Sequence, residues 1–201
     1  MHEPAQLSFD VRQRTAVHEA AHAVAARAYG LSISFAEVCA DDSSESLGRV
    51  RHEAGEGWTD VVVALAGPQG ELAFYNDEWG SNHDREHAEQ YARKVDPDFS
   101  DEVMQAAQTA AAKIIRENRT VISTLAVILE RQGKLSGAEI DGIIGSITGI
   151  NGRVRPAPAG PDMSPLGRAR RDRARRDYAG AAFIEKWIWQ QEGGRRPLYA
   201  Q

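Results

Sequence analysis

"AVHEAAHAVAARAYG", residues 16–30, decides how this chain is read. Two histidines, His18 and His22, stand four residues apart around Glu19 in an alanine-rich run that ends on a glycine. Val17, Ala20, Ala21, Val24 and Ala28 recur at helical spacing and predict a core-facing stripe on a helix over 10–29. Asp10 can cap its start, and Gly30 can supply the left-handed turn at its end. Positions i and i+4 lie one turn apart on one helix face, so both imidazoles can address a single ion with Glu19 beside it. That is the mechanical content of H-E-x-x-H: two zinc ligands and a carboxylate placed to take a proton from water at the ion. Ala20, Ala21, Ala23 and Ala25 leave room for an ion and a substrate chain.

A catalytic zinc needs a third protein ligand and an open position. The extended H-E-x-x-H-x-x-G-x-x-H pattern requires a glycine and a third histidine where this chain has Ala25 and Ala28, so that class is excluded. The remaining candidates are a downstream Asp, Glu or His. His83, Asp84 and His87 cluster in "GSNHDREHAEQYA" (80–92).

Around this stretch the chain reads as a helical domain. "SISFAEVCA" (32–40) and "LGRVRHE" (47–53) carry strand signals and can pair as a small antiparallel sheet across the acidic "DDSSES". Cys39, the single cysteine, excludes an internal disulfide or CxxC clip and reads as a buried structural thiol. Helices are predicted over 58–75, 82–94, 101–118 and 119–132, with a break or kink at Gly67-Pro68. "LSGAEIDGII" (135–144) holds the Ser-x-x-Glu capping box of a last short helix. Trp58 and Trp79 read as core aromatics. The longest apolar run, about 61–66, is far too short to span a bilayer, and "MHEPAQLSFDVRQR" (1–14) lacks a signal peptide's apolar core. A cytoplasmic protein is expected.

Charge divides the 201 residues. Residues 1–150 carry 13 Lys+Arg against 24 Asp+Glu, a net of -11; residues 151–201 carry 11 against 5, a net of +6. The expected organisation is a domain over 1–148, a Pro/Gly-rich linker over 149–167 and a basic helical tail over 168–201. Phe183, Ile184, Trp187 and Ile188 form one stripe in that tail, which suits a protein partner. Aspartates among its arginines, and no nucleic-acid fold in the acidic body, disfavour nucleic acid.

Several stretches resemble, in order, the peptidase domain of the FtsH family of AAA+ zinc proteases. "RQRTAVHEAAHAVAARAYG" (12–30) looks like its opening helix and "LGRV" (47–50) like its Leu-Gly strand. "VVVALAGPQGELAFY" (61–75) is similar to its Gly-Gly-Arg-x-Ala-Glu helix, and "WGSNHDREHAEQYAR" (79–93) to its Gly-x-x-x-Asp-x-x-x-Ala segment. "AAKIIRENRTVISTLAVILERQGKLSGAEIDGII" (111–144) looks like its closing helices. The resemblance covers about residues 11 to 145. It implies a mainly α (α+β), zincin-like domain with a small sheet, holding Zn²⁺ through His18, His22 and Asp84, with Glu19 as general base. Glu71 keeps the family's glutamate position and would support the site or pack its helix; His87 could hydrogen-bond the Asp84 carboxylate. The chain departs from the pattern at Ala21, where the family has glycine, and at "AGPQGE" (66–71).

The implied function is a zinc-dependent endopeptidase acting on peptides or unfolded segments, ATP-independent on its own because no Walker loop, ATPase domain or membrane anchor precedes it. The alternative is a non-catalytic zinc-binding module that recruits a partner protein, or an ATPase, through residues 168–201. An oligomer is compatible with either.

Overall fold

Alanine dominates the first helix, and that choice sets the architecture. A helix of small side chains can be approached closely from several sides, so it suits the centre of a domain. In the computed structural model, which describes residues 9–39, 47–78, 81–148, 154, 156–157 and 159–160, this helix is α1 (Phe9–Ala28). It is buried well beyond one stripe: Ala23, Ala25 and Ala26 join Val17, Ala20, Ala21 and Val24 in the core. Its start lies one residue before Asp10, which sits in the first turn and pairs with Arg14 at 3.5 Å. Gly30 ends it at φ 78°, as its position predicts.

The chain then forms β1 (Ile33–Val38), β2 (Gly48–His52), α2 (Trp58–Tyr75), α3 (Asn82–Val95), α4 (Ser100–Glu117), α5 (Arg119–Gln132), β3 (Lys134–Ser136) and α6 (Gly137–Thr148). The fold is mainly helical with a small three-stranded antiparallel sheet in the order β2-β1-β3. β1 pairs Ala36 with Val50 and Val38 with Gly48, and on its other side Ala36 with Leu135. A bulge between Ile33 and Phe35 shifts the alternation, so Ile33, Ala36 and Val38 all face the core. β3 is too short to show alternation, so nothing in the sequence announces it. The capping box after it forms in full: Glu139 accepts from the Ser136 N–H at 2.7 Å, while Ser136 Oγ accepts from the Glu139 N–H at 3.3 Å.

α2 packs along α1, along α3 and along α4. Of the break or kink expected at Gly67-Pro68, the break does not form: α2 runs through Pro68 as one helix. Pro68 cannot donate to the Ala64 carbonyl, but Val61–Val63 and Leu65–Glu71 are all buried, and that packing holds the helix on both sides of the gap. Gly70 explains the close approach to α1, because a Cβ there would lie 2.6 Å from the Ala21 methyl. Only one of these two positions can carry a side chain. Apart from Leu65 of α2 and Leu135 of β3, the larger core side chains lie elsewhere: Ile114, Ile115, Ile122, Leu125, Leu129, Ile140 and Ile144 fill the space around α4, α5 and α6. A rigid bundle thus sits behind α1 and α2, and the small-residue seam between them is left for polar groups.

Cys39 is only half-buried. Trp58 donates its indole N–H to the Tyr29 hydroxyl at 3.0 Å, and Gly160 lies against its ring. Val154 is buried and the Ala157 N–H donates to the Ala28 carbonyl at 3.0 Å, so described positions of the expected 149–167 linker pack on the end of α1. Trp79 and the 168–201 tail lie outside the described residues. Among the described residues, no helix is long and apolar enough to cross a membrane.

Candidate metal centre

His18 and His22 project from the buried middle of α1 toward α2 and α3. Their Nε2 atoms are 3.0 Å apart, with ring centroids 4.7 Å apart and planes inclined by 69°. Asp84, in the first turn of α3, completes the set: one carboxylate oxygen lies 2.9 Å from His18 Nε2 and the other 3.7 Å from His22 Nε2. A carboxylate is also favoured there by the helix dipole. These three side chains, one ligand atom each, fall within 4.8 Å of one another and could hold a metal ion.

The opposite edge of each ring fixes its tautomer. His22 Nδ1 lies 2.7 Å from the Val63 carbonyl, which can only accept, so Nδ1 donates. His18 Nδ1 lies 2.6 Å from Glu71 Oε1, and Ser81 Oγ donates to the other oxygen of that carboxylate at 3.3 Å. Ser81 occupies the N-cap of α3 but makes no side-chain cap bond; its hydroxyl braces Glu71 instead. With both Nδ1 atoms committed as donors, two Nε2 lone pairs and a carboxylate converge on one point. Neutral rings would leave that point with acceptors only. It calls for a cation, and in metal-ligating histidines this anchoring of the second nitrogen is the usual arrangement.

Gly67 forms the floor. A Cβ at this position would lie 2.6 Å from His18 Cε1 and closer still to both Nε2 atoms, so only glycine leaves the convergence point open. The sequence pattern singled out "AGPQGE" as a departure but gave no reason for its first glycine.

Without a metal, protons take up part of the charge. Burial pulls the His18 pKa down, but hydrogen bonds to Asp84 and Glu71 and the charge of Glu19 outweigh it and push it up to about 10. Burial works against the Asp84 carboxylate too, yet its hydrogen bonds to His18 and His22 hold it well below the ordinary range. Glu19 is 5% exposed; burial raises its pKa, partly opposed by His18 and His22. Gly48 of β2 closes over it, since a Cβ there would sit 2.6 Å from Glu19 Oε1.

The site opens into a cleft of about 800 Å³. It is lined by His18, Glu19, His22, Glu71 and Asp84, by Leu47 with Gly48–Val50 and His52 of β2, and by His83, His87 and Tyr91 of α3. His87 does not bond Asp84. Its ring turns along the helix instead, 4.1 Å from the His83 centroid and 6.4 Å from Tyr91. His83 is exposed and lines the cleft. His52, Tyr91 and the Val63 carbonyl have no motif in the sequence that would have found them. Trp58 does not line the cleft.

Compared with known proteins, the chain matches no family model and no curated protein.

Proposed function

We propose that this chain is a zinc-dependent endopeptidase of the kind its sequence resembles, cleaving peptides or unfolded segments without consuming ATP itself. The observation that carries the reading is the convergence of two Nε2 atoms and a carboxylate beside the buried Glu19, with both Nδ1 atoms anchored from behind. Zinc suits this set. With bonds of about 2.0–2.1 Å, tetrahedral ligand atoms lie about 3.3 Å apart; here the two Nε2 atoms are 3.0 Å apart, one Asp84 oxygen is 2.9 Å from His18 Nε2 and the other 3.7 Å from His22 Nε2, and one ligand atom from each residue lies within 4.8 Å of the others. His18, His22 and Asp84 would hold the ion, leaving the cleft side open. When bound, it supplies Lewis-acid polarisation of a peptide carbonyl and acidification of water.

The remaining chemistry belongs to the chain. Glu19, raised in pKa, is matched to accepting a proton from the attacking water and returning it to the leaving amine. Glu71 and the Val63 carbonyl hold the rings in register. The departures from the FtsH pattern also offset one another: a methyl is gained at Ala21 and lost at Gly70, the two positions in contact.

The test is cleavage of unfolded casein by zinc-loaded protein and its Glu19→Gln variant. The variant should retain zinc and lose about 10²–10⁴-fold in rate. Equal rates in parent and variant refute the peptidase reading; zinc binding with no cleavage by the parent would favour the partner-recruiting module.

A further inference from the structure

The cleft contains a second pair of histidines that the proposed chemistry does not use. His83 and His87 stand at i and i+4 on α3, the same spacing as His18 and His22 on α1. Their ring centroids are 4.1 Å apart with planes inclined by 54°, against 4.7 Å and 69° for the first pair. Among the described residues neither imidazole is committed to a hydrogen bond or ion pair, so ring nitrogens remain available as donors to a cation. His83 is exposed and His87 half-buried, which lets an ion in from solvent. The electrostatics agree. Glu19, Asp60, Glu71 and Asp84 line the cleft, whereas Arg49 is its one Lys or Arg among the described residues, and Arg49 is paired with Glu37 at 3.0 Å. A concave, carboxylate-lined surface concentrates cations.

We infer that His83 and His87 form a second divalent transition-metal site in this cleft, weaker than the first. Two imidazoles select Zn²⁺, Ni²⁺ or Cu²⁺ over Ca²⁺ and Mg²⁺, which take oxygen ligands. With two protein ligands and the rest water, the ion exchanges more readily than one held by three. The inference does not rest on peptidase activity.

Full-length protein stripped with chelator and titrated with Zn²⁺ in equilibrium dialysis tests it. The parent should take up about two equivalents in two affinity classes. His83→Ala and His87→Ala should each lose the weaker class and keep the tighter. His18→Ala should do the reverse. His83 is exposed, so its variant folds as the parent does. A parent that saturates at one tight equivalent, or a weaker class that survives in both α3 variants, overturns the site. Absence of the tight class, with a weaker class lost in His83→Ala, leaves this inference standing and removes the zinc centre instead.

Discussion

Replacing Gly67 by alanine adds one methyl at the floor of the metal centre. Its carbon would lie 2.6 Å from His18 Cε1, about 1 Å inside van der Waals contact, and closer to both Nε2 atoms. The rings cannot simply swing aside. Each is pinned at Nδ1, by Glu71 at 2.6 Å and by Val63 at 2.7 Å, and breaking such a buried bond costs ~1–3 kcal/mol. Overpacking adds ~1–3 kcal/mol if the helices part instead. Against this, alanine in a helix is better than glycine by ~1 kcal/mol. Folding should therefore be weakened by about 0–2 kcal/mol, while zinc affinity falls at least about a hundredfold, because displacing one ligand costs ~3 kcal/mol or more. Gly142→Ala is the control: it lies in α6 with nothing within 4 Å of the added carbon, so it should stabilise by ~0.5–1 kcal/mol and leave zinc untouched. Competition against a chromophoric chelator reads the affinity, and urea melts read the stability. Parent-like zinc binding by Gly67→Ala would refute the reasoning that this glycine keeps the site open.

Glu71→Gln removes the charge behind His18 and should weaken zinc binding by about 10–100-fold, measured by the same competition. The zinc-free protein should show a defined pH response. His18, raised to about 10, contributes stability that is full below its ordinary 6.5 and is lost as pH rises toward 10; Asp84, held low, contributes stability present above its ordinary 3.8 and lost as pH falls below it. Urea midpoints of chelated protein should accordingly decline from pH 7 to 10. Zinc must displace the His18 Nε2 proton, so apparent affinity should rise about tenfold per pH unit through neutrality; a flat profile would show that no proton is released. Leu125→Ala, in the fully buried bundle, should cost ~2–5 kcal/mol in denaturant melts without altering zinc affinity.

Most of the helical frame was legible because its signals are local. Periodicity marked α1, and the Ser136–Glu139 box marked the last helix start. The two histidines and Glu19 were legible because they share one turn of one helix. Asp84 is different. It lies far along the chain from His22, so spacing left it open among His83, Asp84 and His87, and only a resemblance in the order of motifs selected it. What escaped the sequence depends on approach between elements. Gly67 matters because α1 comes within a methyl's width of α2, which no pattern within α2 encodes. Val63 acts through its backbone carbonyl, so its side chain carries no sign of the role. β3 exists because β1 has an unpaired edge that three residues can satisfy. Three-residue spacing offered His87 as one possible partner for the Asp84 carboxylate, but its ring followed the i±4 row toward His83 and Tyr91. Pro68 argued locally for a break, and burial on both sides of it prevailed.

If the proposed centre forms, a carboxylate from α3 joins two imidazoles from α1 around one zinc. Zinc retained after dialysis against a weak chelator, compared between the parent and Asp84→Ala, tests it most directly, with circular dichroism to verify that both are folded. About one tightly held zinc per parent chain is expected, with most of it lost in the variant. Equal retention by a folded Asp84→Ala protein would contradict it.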